Sequence, residues 1–195
     1  MTADTPVRAQ CAGTRGLAEA RPAAPVRAHD EPHLSPDQYK QVFRRHPAGV
    51  AVVTLADPRT GLPVGFTATS VISVSAAPPV LAFSIASTSS SWPALARAAT
   101  VVVNFLGDGQ ADLSTRFATH GIDRFAGTEH IRLAGGEPVL TGSRTWVHGR
   151  VLERIAVGDS HLVTVQAITS DTSAEGGPLV YHDRAYTQLA DHYEI

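Results

Sequence analysis

The chain has 195 residues, 43% of them hydrophobic and 17% charged, with a formal net charge of −2. This length suits one domain with a substantial core and excludes two large domains. The near-neutral charge predicts neither nucleic acid nor an anionic membrane as a partner, and no apolar run reaches the ~18 residues of a membrane span.

The first 33 residues are rich in Ala, Pro, Arg and Thr and follow neither a helical nor a strand period. We therefore predict a disordered tail over residues 1–33 and one folded domain over residues 34–195. The tail has no apolar signal core, which makes the cytoplasm the expected location. It contains the single cysteine, Cys11, so the sequence excludes an intrachain disulfide and any cysteine-based metal site.

The folded part begins with a helix start signal, Ser-Pro-Asp-Gln. Ser35 is expected as the N-cap, Pro36 at the first helical position and Gln38 at the third. The helix should end near Arg45, because His46 precedes a proline and such residues disfavour the helical conformation.

The apolar segments that follow are separated by turn residues, which is typical of strands. The predicted strands are residues 50–55, 64–75, 80–85, 101–106, 145–155, 161–169, 179–181 and 185–189. Short helices are predicted over residues 92–98 and 110–117. Many short strands and few helices favour a closed or nearly closed antiparallel barrel over a doubly wound sheet.

A long stretch of the sequence is nearly free of charge. Between Asp57 and Asp108 only two arginines are charged, and residues 65–91 contain eleven serines and threonines. Hydroxyls and turn amides can bind phosphate oxygens and ring carbonyls, which nearby carboxylates would repel. If Trp92 begins a helix, Ser91 is its N-cap and the helix N-terminus offers an anion site to the serine-rich segment. The alternative is an ordinary serine-rich turn between a strand and a helix.

The common catalytic motifs are missing from the sequence. It has no Gly-x-Ser-x-Gly elbow, no Walker A loop and no His-Glu-x-x-His. Its nine histidines show no spacing typical of a metal site, so no metal is expected.

Four segments resemble the flavin reductase family of two-component monooxygenases: "GFTATSVISVSAAPPVLAFSIASTSSSWPAL", "VVVNFL", "LSTRFA" and "DRFAG". The resemblance extends from about Tyr39 to Tyr186. It rests on a Thr-x-x-Ser strand, Pro-Pro, Ser-x-x-Trp-Pro and Val-Asn segments that occur in the family's order. It implies a mainly β protein, an antiparallel split β-barrel of the Greek-key type with a few short α-helices, that binds FMN or FAD.

The resemblance also implies which residues bind the flavin. Residues 67–70 would lie against the isoalloxazine ring, residues 84–91 would surround the ribityl chain and phosphate, and Arg124 would reach the phosphate. The implied flavin-binding residues are Phe66, Thr67, Ala68, Thr69, Ser70, Ser84, Ile85, Ala86, Ser87, Ser89, Ser90, Ser91, Trp92, Asn104, Phe117, Ala118 and Arg124. The alternative for Arg124 is a surface ion pair with Asp123 or Glu129.

The nicotinamide-binding segment departs from the family's pattern. The family commonly carries Gly-Asp-His at the start of a late strand, where the histidine helps to seat the nicotinamide, whereas this chain has Gly-Asp-Ser-His. A displacement by one residue reverses the face to which a strand side chain points. Either Ser160 takes the histidine's position, or a bulge returns His161 to it, or His161 is simply a histidine at a strand start. The implied nicotinamide-binding residues are Asp159, Ser160, His161, Tyr181, His182 and Arg184.

The function implied by the resemblance is that of an NAD(P)H-dependent flavin reductase, a homodimer that releases reduced flavin to a partner oxygenase. No catalytic acid or base is implied, because the protein needs only to position two rings for hydride transfer. The alternatives are another split-barrel flavin oxidoreductase, a non-catalytic flavin-binding protein, and a serine-rich barrel that binds no flavin. The sequence does not distinguish FMN from FAD, or NADH from NADPH.

Overall fold

The computed structural model describes residues 32–187. Helix α1 (Pro36–Arg44) begins where the sequence predicts, because Ser35 Oγ accepts from the Gln38 backbone N–H and the Gln38 side chain accepts from the Ser35 backbone N–H. This reciprocal capping box confirms the predicted start, and the predicted end is confirmed by the C-cap at Arg45. Most of the predicted tail, and the end of the last predicted strand, lie outside the described residues.

Short helices and strands follow along the described part of the chain. The helices are α2 (Trp92–Leu95) and α3 (Ala111–Ala118). The strands are β1 (Ala48–Gly49), β2 (Ala51–Ala56), β3 (Pro63–Ala68), β4 (Ile72–Ala76), β5 (Pro79–Ala86), β6 (Thr100–Phe105), β7 (His130–Arg132), β8 (Pro138–Leu140), β9 (Thr145–Val157), β10 (Ser160–Asp171), β11 (Val180–His182) and β12 (Ala185–Thr187).

One antiparallel sheet dominates the structure, with strand order β3-β2-β6-β9-β10-β5-β4. Smaller sheets contain β1, β11 and β12, and β7 with β8. The prediction of a mainly β, antiparallel fold with a few short helices is confirmed. Within residues 32–187, no helix is long and apolar enough to cross a bilayer.

The largely apolar sequences of β2 and β6 are explained by burial on both faces. Ala51, Val53 and Leu55 belong to one buried cluster, which includes residues of α2, β5 and β10. Val52 belongs to a second cluster with Phe117 of α3. Because successive strand residues point to opposite faces, a strand covered on both sides must be apolar at nearly every position.

The structure corrects the predicted strand over residues 64–75, which is two strands. β3 pairs with β2, whereas β4 pairs with β5, so residues 69–71 carry the chain from one edge of the sheet to the other. The expected closed barrel is not observed, because β3 and β4 remain the two edges of the sheet within the described range. The sequence concealed this break because hydroxyl and β-branched residues favour strands throughout the segment.

Two further differences from the predicted elements concern short segments. Helix α2 ends at Leu95 rather than at Ala98, because Arg97 N–H and Ala98 N–H bond to carbonyls only three residues back, which is a tighter turn than an α-helix. The hairpin β7–β8 was not predicted. It covers β6, where the backbone N–H of Leu140 donates to Asn104 Oδ1 (2.9 Å).

Candidate functional site

The serine-rich segment between β5 and α2, here called the serine loop (residues 87–91), is anchored to β3. Ser91 Oγ is buried and donates to Gly65 O (3.2 Å). Ser91 precedes α2, yet its side chain does not cap the helix, which has only four residues. Ser91 therefore holds the predicted N-cap position, but its hydroxyl joins the loop to the sheet instead of capping the helix.

Arg124 lies at the same junction and makes three hydrogen bonds to it. Its Nη1 donates to Gly65 O (2.8 Å) and to Ser91 Oγ (3.0 Å), and its Nε donates to Thr119 O (2.9 Å). The guanidinium is thus fixed in position by backbone carbonyls and a hydroxyl. A guanidinium held in this way can bind an anion without first changing its conformation.

The charge of Arg124 is not neutralised by a neighbouring carboxylate. Within residues 32–187 it forms no ion pair, so the alternative of a pair with Asp123 or Glu129 is not observed. Asp123 Oδ1 accepts from the backbone N–H groups of Phe125 (2.9 Å) and Ala126 (3.2 Å). Partial burial lowers the pKa of Arg124, but a guanidinium keeps its proton at neutral pH.

A cavity of about 210 Å³ opens beside Arg124. Ser90 and Ser91 line it from the serine loop, Gly65 lines it from β3, and Asp123 lines it from the segment that carries Arg124. Arg124 and the exposed Ser90 hydroxyl are donors that suit a phosphate group, and the Asp123 carboxylate is partly occupied because its Oδ1 accepts from two backbone N–H groups.

A second group of hydroxyls lies where the chain crosses between the sheet edges. Ser70 Oγ accepts from the Ser84 backbone N–H (2.9 Å) and lies 3.0 Å from Ser84 Oγ. Both hydroxyls are accessible, and Thr69 beside them is exposed. The structure therefore brings together the two predicted flavin-binding segments. Neutral accessible hydroxyls of this kind can both donate to and accept from a polar ring edge.

Thr67 has a different environment from Ser70. Its Oγ1 donates to Ser114 O of α3 (2.6 Å), and Ser114 Oγ accepts from the hydroxyl of Tyr186 (2.9 Å). The Thr67 side chain thus links β3 to α3 and, through Ser114, to the hairpin β11–β12.

Several of the predicted flavin-binding residues have side chains in the core. Phe66, Ala68, Ile85 and Phe117 are buried in the two apolar clusters. Asn104 is fully buried, and its amide is occupied by Val52 O, Thr54 Oγ1 and the Leu140 N–H. These side chains therefore belong to the core of the protein rather than to its accessible surface. Ala86, Ser87 and Ala118 are exposed, and Ser89 and Trp92 are half-buried.

The turn between β9 and β10 resolves the register of the Gly-Asp-Ser-His segment. Ser160 lies opposite Ala86 and His161 opposite Ile85, and no bulge occurs before Thr164. Ser160 therefore takes the position after the aspartate and shares a sheet face with Ala86. The His161 ring lies on the other face, where it stacks on Trp92.

The other predicted nicotinamide-binding residues lie on the hairpin β11–β12. Tyr181 packs against Tyr186, whose hydroxyl bonds α3, and the turn contains Asp183 and Arg184 with positive φ. His182 and Arg184 are exposed. The structure places this hairpin beside α3 and joins it to α1, because the Asp183 backbone N–H donates to Arg44 O (2.9 Å).

Sequence reasoning missed two residues that hold the site together. Gly65 offers its carbonyl to both Ser91 and Arg124, and a Cβ there would lie 2.6 Å from the Phe117 ring. Arg154 of β9 donates to the carbonyls of Leu95 and Ala98 at the end of α2. A glycine inside a strand signals close approach, so Gly65 was detectable. The Arg154 contacts left no local signal.

The fold and this junction define an antiparallel β protein with accessible hydroxyls beside a fixed arginine that forms no ion pair within residues 32–187. The chain belongs to the flavin reductase family, since residues 43–190 match the family described as "Flavin reductase like domain". Within the described residues no cluster of three or more His, Cys, Asp or Glu side chains could hold a metal.

Similarity to known proteins extends over most of the chain. An NADH:FMN oxidoreductase from Rhodococcus qingshengii is 48% identical over 154 residues, covering 76% of this chain and 79% of that protein. A flavin-dependent monooxygenase reductase subunit from Rhodococcus jostii is 32% identical, covering 80% and 79% respectively. The crystal structure of a flavin reductase domain protein from Arthrobacter sp. FB24 has a TM-score of 0.74 and 40% identity, covering 82% of this chain and 99% of that one.

Proposed function

We propose that this protein is an NAD(P)H-dependent flavin reductase that transfers a hydride to FMN or FAD and supplies reduced flavin to a partner monooxygenase. The observation that carries the proposal is Arg124, which is fixed beside the serine loop without an ion-pair partner in the described part of the chain, next to a cavity suited to a phosphate. The names of the Rhodococcus relatives support both the activity and the monooxygenase partner. The flavin is the hydride acceptor, and the protein binds and orients the flavin and the nicotinamide nucleotide.

The proposed roles follow from where the polar groups lie. Arg124 and Ser90 would hold the flavin phosphate, and Ser70 and Ser84 would hydrogen-bond the polar edge of the ring. Ser160, on the sheet face of Ala86, would help to hold the nicotinamide. These groups orient the reactants and exclude alternative poses, which is sufficient for a reaction that needs no side-chain acid or base.

We also propose that the seven-stranded sheet is a split β-barrel. The two edge strands β3 and β4 are consecutive in the chain, only residues 69–71 separate them, and β3 contacts β5. Contact between one edge strand and the strand next to the opposite edge supports a barrel that is interrupted between β3 and β4. A cytoplasmic location is proposed as well, because the reaction consumes a reduced nicotinamide nucleotide.

The enzyme assay has a simple expected result. Purified protein with NADH under air should oxidise the nucleotide at a rate that depends on added FMN, because the flavin is the electron acceptor. The measurement is the loss of absorbance at the NADH band, repeated with FAD and with NADPH to establish the preferred pair. Reactions without flavin and without protein are the controls.

Two results, from this assay together with measurements of flavin binding, would reject the proposal in different ways. Flavin binding without oxidation of NADH or NADPH would favour a flavin-binding protein that lacks reductase activity. No thermal stabilisation at saturating FMN or FAD would reject flavin binding altogether, since a ligand specific for the folded state must raise its stability.

We further propose that the protein is a homodimer. Large apolar side chains are more than a third exposed on three strands of the main sheet, β4, β9 and β10, among them Ile72 (57%), Val74 (55%), Leu152 (45%) and Ile168 (53%). Apolar surface of this extent favours association. Light scattering should give a mass near twice 20.6 kDa. Val74→Glu should shift the mass towards the monomer, and a wild-type monomer at micromolar concentration would contradict the proposal.

A further inference from the structure

The turn between β9 and β10 is joined directly to the serine loop. The Ser87 backbone N–H donates to Asp159 O (2.9 Å), and Ser87 Oγ lies 3.2 Å from His161 Nδ1. The His161 ring also stacks on Trp92, with ring centroids 3.6 Å apart and planes inclined by 18°. His161 therefore contacts the residue that begins the serine loop and the residue that follows it.

Arg154 secures the same unit from the other strand of the β9–β10 hairpin. Its Nε donates to Leu95 O (2.9 Å), and its Nη2 bonds to Ala98 O. Arg154 and His161 share a sheet face, because Arg154 lies opposite Val163 and strand residues alternate between faces. The hairpin thus holds the serine loop and α2 at both ends.

The imidazole ring of His161 suits this position for two separate reasons. Its flat face packs on the Trp92 indole, and its Nδ1 reaches the Ser87 hydroxyl. A phenylalanine would keep the ring contact and lose the hydrogen bond. The two contributions can therefore be separated by substitution.

We propose that His161 is a positioning residue that couples the flavin site to the nicotinamide site. This inference rests on the proposed function, which gives the serine loop to the flavin and the turn at residues 159–160 to the nicotinamide. Ordering of either segment by its ligand fixes His161, and through it the other segment. Each ligand then raises the affinity for the other, and this effect is reciprocal at equilibrium.

The test measures FMN affinity with and without NAD⁺, the oxidised nucleotide, which binds without reducing the flavin. In the wild-type protein, saturating NAD⁺ should tighten FMN binding about 5-fold to 20-fold, within the usual range of coupling between sites. His161→Phe should reduce this factor to less than about twofold. Ser87→Ala should have the same effect, because it removes the other partner of the hydrogen bond. The double variant should have the same coupling factor as either single variant, because both substitutions remove the same hydrogen bond.

His130→Phe is the matched control. His130 is also half-buried, with one Nδ1 contact to Thr128 O (2.9 Å) and one ring contact to Phe125, but it lies on β7. It should retain the full coupling factor. If His161→Phe fails to fold, Ser87→Ala still decides the matter because Ser87 is exposed.

The outcomes separate this inference from the proposed function. A wild-type FMN affinity that does not respond to NAD⁺, or a coupling factor unchanged in both His161→Phe and Ser87→Ala, would overturn the role of His161 while leaving the reductase activity intact. Absence of FMN binding or of NADH oxidation in the wild-type protein would instead overturn the proposed function.

Discussion

Arg124→Ala should weaken FMN binding about 30-fold to 100-fold and riboflavin binding less than about threefold. The physical reason is that the guanidinium is fixed beside the cavity and has no carboxylate partner within residues 32–187. Loss of a hydrogen-bond partner from a charged group costs ~2–3 kcal/mol, and riboflavin lacks the phosphate that would receive this contact. Fluorescence titration of each flavin with wild type and variant measures the difference.

The comparison of the two flavins also separates ligand binding from support of the fold. Arg124 bonds Gly65 O and Thr119 O, so its removal could loosen the junction and weaken both flavins equally. Equal losses would contradict the phosphate role. Arg116→Ala is the matched control, because Arg116 is exposed on α3 and its Nη1 likewise donates to a backbone carbonyl, that of Ala126 (2.9 Å).

Gly149→Ala should destabilise the protein more than an alanine substitution at any other glycine that lies in a described strand outside the site. A Cβ at Gly149 would lie 2.4 Å from Val165 Cγ1 and 2.7 Å from Gln166 O, and the second of these atoms is backbone that moves only with its strand. We expect a loss of about 3 kcal/mol in the free energy of unfolding. The melting temperature should fall by roughly 6–12 °C for a domain of this size.

Gly49→Ala provides the comparison for this prediction. Gly49 also lies in a strand, and a Cβ there would meet nothing within 4 Å. Its effect should be small, and thermal unfolding of the two variants side by side measures the difference. Equal stability of both variants would show that β10 relaxes around Gly149, where its pairing with β9 is already irregular between Ala167 and Thr169.

Local signals in the sequence were sufficient for much of the fold. The capping residues Ser35 and Gln38 located α1, and the apolar run at residues 101–106, interrupted only by Asn104, located a strand buried on both faces. Such features depend on neighbours within a few positions, which is why the sequence carries them. The break at residues 69–71 contains no glycine or proline and became visible only through the different partners of β3 and β4.

The site was predictable as a set of residue types and less so as contacts. The charge-poor stretch directed attention to the hydroxyls of Ser70 and Ser84, which lie 3.0 Å apart in the structure. The stack of His161 on Trp92 depends on the register of β10 against β5, and this register follows from the whole hairpin. Long-range register of this kind is not encoded in a short motif.

The crossing at residues 69–71 has a consequence for how ligand affinity and protein shape are related. It lies at the two free edges of the sheet, and Ser70 is bonded across it to Ser84 of β5. A ligand bound to these two serines would link the crossing to β5, the strand next to one edge. Its binding free energy would then also favour the arrangement in which β3 contacts β5, so that ligand affinity and the contact of these two strands depend on one shared equilibrium.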